Sequence, residues 1–175
     1  MLKSLLRRRP LERQALDLYA LAVEQARQPA FYTDLAVQDR IDARFEIYTL
    51  HVLMLFVRFR KEGDRGAELA QKLFDHYVSA LDNVLRELGV GDVSVGKKMR
   101  KLGEALYGRM STYEKALSDG DIEALKVAMA RNIYETDDLS VADALARYAM
   151  DSHTKLASQT IAEVERAPEW AQIVR

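Results

Sequence analysis

The sequence predicts an all-α protein, a single-domain helical bundle of about six or seven helices around a buried central helix. Apolar residues recur at steps of three and four along most of the chain, and no stretch alternates as a half-buried strand would. The 175 residues include only 3 prolines and 8 glycines, which leaves little room for linkers. Because 49% of the residues are hydrophobic, the chain is long and apolar enough for one domain with a core.

The apolar spacing places the helices in order along the chain. They are predicted over residues 11–27, 40–60, 69–88, 95–117 and 121–135, with a long last helix from residue 141. Pro29 ends the first helix and Pro168 the last, and Ser140-x-x-Asp143 resembles a capping box. The segment 40–60 is apolar nearly all round, which is typical of a buried central helix. We expect an N-terminal helix and basic segment, 1–28, to continue into an all-α domain, 29–175, as one domain.

The segment GDVSVGKK (91–98) has the Gly-x-x-x-x-Gly-Lys spacing of a phosphate-binding loop. Such a loop follows a β-strand and has Ser or Thr after the lysine, whereas a helical segment precedes this one and Lys98 takes the Ser/Thr position. We therefore interpret it as a corner in which one helix ends at a glycine and Asp92 or Ser94 caps the next helix. The residues assigned to this structural corner are Gly89, Gly91, Asp92 and Gly96.

Charge is unevenly distributed, although the total is only −1. Residues 1–110 carry 19 basic and 15 acidic residues, and residues 111–175 carry 7 and 12. Several cations follow the corner in the first turns of a helix, where the helix dipole disfavours positive charge. We expect either a solvated helix face or a basic corner that faces an anionic lipid surface or RNA. The residues of this basic corner are Lys97, Lys98, Arg100, Lys101 and Arg109.

No residue pattern indicates catalysis, a metal or a cofactor. The absence of cysteine excludes disulfides and thiolate zinc sites. His51 and Met54 lie on one face of one helix, where they could not hold a haem from both sides. The longest apolar run, 45–59, is shorter than a membrane span and carries charges. Gly108, inside a predicted helix, is interpreted as a point of close helix packing.

Four stretches together resemble the ubiquinol–cytochrome c chaperone family, the assembly factors for respiratory cytochrome b. They are FYTDLAVQDRIDARFEIYTLHVLMLFVRFR, LFDHYVSALDNVLRELGVGDVSVGKKMRK, ALYGRMSTYEKAL and ARNIY, between residues 31 and 134. The corner LRELGVGD, then VGKKM and YGR, has the order and spacing typical of the family. The stretch ALDNVLREL departs from it, because an acidic, methionine-containing sequence is expected there.

The resemblance implies a non-enzymatic chaperone that binds newly made cytochrome b and assists assembly of ubiquinol–cytochrome c reductase. Mitochondrial members act partly at the ribosomal tunnel exit and with a small partner protein. This chain has no long N-terminal extension, so we expect a bacterial, cytoplasmic form, peripheral at the inner face of the membrane. DNA is not an expected partner, and the sequence leaves homo-oligomerisation open.

A chaperone for membrane helices needs an apolar surface, which we place in a groove beside the 40–60 helix. Two other functions fit the sequence: a helical protein that binds a lipid or quinone near His51 and Tyr48, and a ribosome- or RNA-binding adaptor. The candidate groove residues are Arg44, Tyr48, His51, Arg58, Tyr107 and Tyr113.

Overall fold

The computed structural model describes residues 2–87 and 92–174, with the side chains from residue 10 onward apart from those of residues 92 and 93. Within these residues there are eight α-helices and no strand, which confirms the all-α prediction. The helices are α1 (Leu2–Ala26), α2 (Ala30–Thr33), α3 (Ile41–Arg60), α4 (Gly63–Glu87), α5 (Asp92–Asp119), α6 (Ile122–Met129), α7 (Asp143–Ser158) and α8 (Ile161–Arg166). A π-helical turn, Ala130–Tyr134, follows α6, and a 3-10 turn, Leu139–Ala142, precedes α7.

Helix α3 is the central helix, as the apolar character of its sequence predicts. It contacts α1, α4, α5, α7 and the π-helical turn. Its buried residues include Leu50, His51 and Leu53, which lie on different sides of the helix. Because neighbours cover α3 nearly all round, it lacks the polar face that a surface helix has.

A tight corner joins α3 to α4 and makes them neighbours. Gly63 has a positive φ of 67°, a conformation that glycine adopts without the steric cost of a Cβ. At Gly66, a Cβ would overlap the carbonyl oxygen of Phe59 and the side chain of Glu62. The absence of a side chain at Gly66 therefore lets the first turn of α4 lie against the last turn of α3.

The first helix starts earlier than predicted, and the last helix is two helices. Helix α1 begins at Leu2 and contains Pro10, although we expected it to begin after the proline. Helix α7 ends at Ser158, and Thr160 starts α8 with a capping box, in which its hydroxyl accepts from the Glu163 amide. The Thr160-x-x-Glu163 pattern is visible in the sequence and could have predicted this break.

Two further boundaries differ from the predictions. Asp138, not Ser140, supplies the cap before α7, because its carboxylate accepts from the Ser140 amide at 2.9 Å. The helix predicted over 121–135 is α-helical only to Met129. It then widens into the π-helical turn, an irregularity that apolar spacing does not reveal.

The predicted corner lies between α4, which ends at Glu87, and α5, which begins at Asp92. Gly89 and Gly91 are outside the described residues. Gly96 is inside α5 with open space where its Cβ would be, so its assignment to the corner was wrong. Asp92 and Ser94 are both inside α5, so neither takes the N-cap position that we expected. Because α5 already begins at Asp92, the residues before Gly96 are helical and do not form the loop that phosphate binding requires.

Among the described residues, none of the helices combines the length and the apolar content that crossing a membrane requires.

Candidate functional site

An apolar groove with a cavity volume of about 310 Å³ lies beside the N-terminal half of α3. The end of α4 and the start of α5 form its other walls. Ile41 and Val84 are 65% and 46% exposed, which is unusual for large aliphatic side chains so close to a core. We call this surface the apolar groove, and its lining residues are Ile41, Asp42, Arg44, Phe45, Tyr48, Leu81, Val84, Leu85 and Leu102.

The helical periodicity explains why α4 contributes aliphatic side chains to the groove. Leu69, Leu73 and Tyr77 face the core and are buried. The same stripe continues through Leu81 and Leu85 beyond the end of the core, where α1 and α3 no longer cover it completely. The apolar face of α4 is therefore longer than its packing inside the protein requires.

A second, polar cavity of about 490 Å³ lies next to the apolar groove. The two cavities are adjacent, because Arg44 and Tyr48 line both of them. We call the second cavity the arginine notch, and its lining residues are Arg27, Pro29, Tyr32, Thr33, Asp39, Arg44 and Tyr48.

Four of the five residues predicted for the basic corner are exposed near the start of α5. We call them the basic surface, and they are Lys97, Lys98, Arg100 and Lys101. Within the described part of the chain, no ion pair or hydrogen bond of these side chains is found. Lys98 lies one helical turn before Leu102, which lines the apolar groove. The basic surface therefore begins beside the end of the groove.

The structure brings only two of the six predicted groove residues, Arg44 and Tyr48, into the apolar groove. His51 is completely buried in the core, so its assignment to a client surface was wrong. Its Nδ1 lies 2.8 Å from the carbonyl oxygen of Ile47 and its Nε2 lies 2.8 Å from the hydroxyl of Tyr148. Burial lowers the pKa of His51 to about 4.

Because its pKa is about 4, the His51 ring is neutral near pH 7, and its hydrogen bonds then define the tautomer. Since a carbonyl oxygen only accepts, the Nδ1 of His51 donates to Ile47, and the Tyr148 hydroxyl then donates to Nε2. Gln25 Nε2 donates to the Tyr148 oxygen at 3.1 Å and completes the chain. The ring of Trp170 packs edge-on against His51 with its centroid 4.9 Å away. This arrangement is a polar cluster within the core.

The remaining three predicted groove residues lie elsewhere. Tyr113 is buried, and burial raises the pKa of its hydroxyl, so it was wrongly placed in a groove. Arg58 donates to the carbonyl oxygens of Leu156 at 2.8 Å and Gln159 at 2.9 Å, which ties α3 to the end of α7. Tyr107 is 71% exposed on α5 but does not line the apolar groove.

Arg109 was also assigned wrongly, because it is not part of the basic surface. Its Nε donates to the carboxylate of Glu46 at 2.7 Å, and an Nη atom donates to the second oxygen. The side chains of Glu46 and Arg109 are only 7% and 19% exposed. Burial raises the pKa of Glu46, although the hydrogen bond from Arg109 acts in the opposite direction. The pair connects α3 to α5, with Glu46 on the buried side and Arg109 at the edge of the cleft between α5 and α6.

Gly108 does not mark close helix packing, which corrects the expectation from the sequence. No heavy atom of a neighbour lies within 4 Å of the position that its Cβ would take. Gly108 instead lines an open cleft of about 560 Å³ between α5 and α6. The glycine therefore weakens the helix without a packing gain.

We expect Gly108→Ala to raise the free energy of unfolding by about 0.5–1 kcal/mol, because alanine favours a helix and meets no neighbour. For a chain of this size the melting temperature should rise by about 1–4 °C. Thermal unfolding followed by circular dichroism measures the change. Gly66→Ala is the matched control and should lower the melting temperature, since its Cβ overlaps backbone. A Gly108→Ala protein that melts earlier than the wild type would contradict the open environment of this residue.

Several groove residues were missed by sequence reasoning, namely Ile41, Phe45, Leu81, Val84, Leu85 and Leu102. Leu81, Leu85 and Leu102 contributed to the apolar spacing that predicts the helices 69–88 and 95–117, and this spacing does not separate core residues from groove residues. The sequence did contain one indication, because Val84 makes the apolar face of α4 wider next to Leu81 and Leu85 than it is elsewhere on the helix. The lengths of the neighbouring helices α1 and α3 decide which apolar residues of α4 stay exposed. The spacing of apolar residues does not reveal these lengths.

Comparison with known proteins agrees with the resemblance seen in the sequence. The family model described as Ubiquinol-cytochrome C chaperone matches residues 33–170, a range that contains the apolar groove and the basic surface. The crystal structure of the Cbp3 homolog from Brucella abortus is similar, with a TM-score of 0.86 and 31% sequence identity. That similarity covers 99% of this chain and 98% of the Brucella chain. None of the curated proteins matches the chain significantly.

Proposed function

The chain belongs to the ubiquinol–cytochrome c chaperone family, and we propose that it is a non-enzymatic assembly chaperone that holds an apolar segment of newly made cytochrome b. The observation that carries this proposal is the apolar groove, where Ile41 and Val84 are exposed beside a fully packed core. A client that carries apolar helices is protected from aggregation when such a surface covers them. The proposed client is a subunit of the complex after which the family is named.

The shape of the groove supports a helical client. Three helices wall it, and its floor consists of the branched and aromatic side chains of Phe45, Leu81 and Leu85. An amphipathic or apolar helix binds such a groove through side chains spaced three and four residues apart. The groove is shallow enough to release the segment when the client assembles, because Ile41 and Val84 lie at its open rim.

The basic surface supports a cytoplasmic protein that works against the inner face of the membrane. Lys97, Lys98, Arg100 and Lys101 are exposed, and each cation near an anionic leaflet contributes about 1 kcal/mol of attraction. Because this surface begins next to Leu102, membrane contact would place the apolar groove close to the site where client helices enter the bilayer. A ribosome surface would attract the same cations, and salt-sensitive binding of ribosomes is the alternative.

Affinity capture of tagged protein from its own membranes, followed by mass spectrometry, tests whether cytochrome b is the client. We expect the wild type to enrich cytochrome b above other membrane proteins, and Val84→Asp, at an exposed groove position, to lose most of this enrichment. Leu16→Asp is the matched control, because Leu16 is 50% exposed on α1 outside the groove.

Sedimentation with anionic vesicles tests the proposed membrane contact. A protein in which Lys97, Lys98, Arg100 and Lys101 are changed to Gln should sediment less with these vesicles than the wild type does.

Other results would favour a different function. Equal capture of cytochrome b by the wild type and Val84→Asp would contradict the role of the groove. Capture of ribosomal proteins alone would favour the adaptor function, and a bound lipid or quinone without a protein client would favour a ligand-binding function. Unchanged vesicle sedimentation of the Gln variant at low salt would remove the proposed membrane contact.

A further inference from the structure

The arginine notch contains two guanidinium groups that have more hydrogen-bond donors than partners. Arg27 donates through Nε to the Tyr48 hydroxyl at 3.2 Å, and Arg44 donates through Nε to Asp39. In the described part of the chain, the Nη atoms of both residues have no partner. Each guanidinium is therefore held at one nitrogen while its outer nitrogens are available to a ligand.

Aromatic rings hold the two guanidinium groups in place. Arg27 lies over the ring of Tyr48 at 5.9 Å, and Arg44 lies over the ring of Tyr32 at 5.8 Å. Tyr32 is itself fixed, because its hydroxyl donates to the carbonyl oxygen of Ala26 at 3.2 Å. Such contacts reduce the number of side-chain conformations, so less entropy is lost when a ligand binds.

The charges of the notch favour an anion. It contains two arginines and one carboxylate, that of Asp39, which is paired with Arg44. Arg27 and Arg44 carry the same charge and line the same cavity, so they repel each other. An anion between them would remove this repulsion and accept from both guanidinium groups.

The position of the notch suggests a source for the anion. Arg44 and Tyr48 line both the notch and the apolar groove, so a side chain of a segment bound in the groove is within reach of the notch. We propose that the arginine notch binds the carboxylate of an acidic side chain carried by the apolar segment in the groove. This inference rests on the proposed function, and it adds a requirement for the sequence of the client.

Two fluorescein-labelled amphipathic helical peptides test the inference. Both have one leucine-rich face, and they differ only by Glu or Gln at one position near the end of that face. Fluorescence anisotropy gives their dissociation constants with the wild type, with Arg27→Gln/Arg44→Gln, and with Arg131→Gln as a control. Arg131 is exposed and lies in the cleft between α5 and α6, outside the notch. Thermal unfolding of each variant checks that it is folded.

We expect the wild type and Arg131→Gln to bind the Glu peptide about tenfold more tightly than the Gln peptide, the size of one charge-assisted hydrogen-bond pair. The Arg27→Gln/Arg44→Gln protein should bind both peptides with the affinity that the wild type has for the Gln peptide. Arg27→Lys/Arg44→Lys keeps the charge and should retain part of the preference.

The outcomes separate this inference from the proposed function. If the wild type binds both peptides equally and Val84→Asp abolishes binding, the groove holds apolar helices and the carboxylate inference is wrong. If neither peptide binds, the groove does not hold apolar helices, and both proposals are contradicted. Binding of phosphatidylglycerol vesicles that depends on Arg27 and Arg44, without any peptide preference, would assign the notch to a lipid phosphate and overturn the inference.

Discussion

Arg109→Gln should lower the free energy of unfolding by about 3–5 kcal/mol at pH 8, the largest effect that we expect from a single substitution. The reason is the carboxylate of Glu46, which would stay buried in the core without its cationic partner. Removal of one member of a buried ion pair costs more than the pair itself contributes, because the remaining charge has lost its hydration and its partner. Chemical denaturation followed by circular dichroism measures the loss.

The pH dependence and a double variant distinguish this cause from simple loss of packing. The pKa of Glu46 is already raised by burial, and without Arg109 it should rise further. The folded variant then binds a proton more readily than the unfolded chain, so its stability falls as pH rises through the window above the usual glutamate pKa. We expect the deficit of Arg109→Gln to be smaller at pH 5 than at pH 8, and Glu46→Gln/Arg109→Gln to recover most of it. A deficit below about 1 kcal/mol at pH 8 would contradict a buried, charged Glu46.

The second large effect is a loss of stability in mild acid that depends on His51. Its pKa is about 4 in the folded protein and about 6.5 in an unfolded chain, since burial opposes the charged ring. The unfolded chain therefore binds more protons between these values, and stability falls as pH decreases through this window. The full pKa difference corresponds to about 3 kcal/mol in the free energy of unfolding, and most of this stability is lost once the pH has fallen to about 4.5.

A His51→Gln protein isolates this contribution. At pH 7.5 it should be less stable than the wild type by about 1–3 kcal/mol, because the hydrogen bonds to Ile47 and Tyr148 are disturbed. Between pH 7.5 and 4.5 the wild type should lose about 2–3 kcal/mol more than the variant. Half-buried His153, whose pKa burial also lowers, is present in both proteins, so its effect cancels in the comparison. Parallel stability curves for the two proteins would contradict a neutral, buried His51.

The central helix could be predicted from sequence because its evidence is local. An apolar segment such as 40–60 with few polar positions has to be surrounded in water, whatever the order of its neighbours. Helix ends were less predictable, since the capping pattern at Thr160 competes with similar short patterns such as Ser140-x-x-Asp143. The π-helical turn has no simple pattern at all, because it depends on packing against α3.

The site was predicted only in part, for a physical reason. Arg44 and Tyr48 were found because polar and aromatic residues on an apolar helix stand out in a sequence. Arg109 and His51 stand out for the same reason, yet their partners, Glu46 and Tyr148, lie 63 and 97 residues away along the chain. The local sequence looks alike around a polar residue that is paired across the core and around one that faces a groove. Only the tertiary structure distinguishes these two cases.

The central claim is that the apolar groove holds the client, and site-specific photo-crosslinking tests it most directly. A photoreactive amino acid replaces Val84 in the groove or, as a control, Leu16 on α1, which has a similar exposure of 50%. After illumination in cells, we predict a crosslinked product that contains cytochrome b from position 84 and none from position 16. Equal products from both positions, or a cytochrome b product from position 16 alone, would contradict the claim that the groove is the client site.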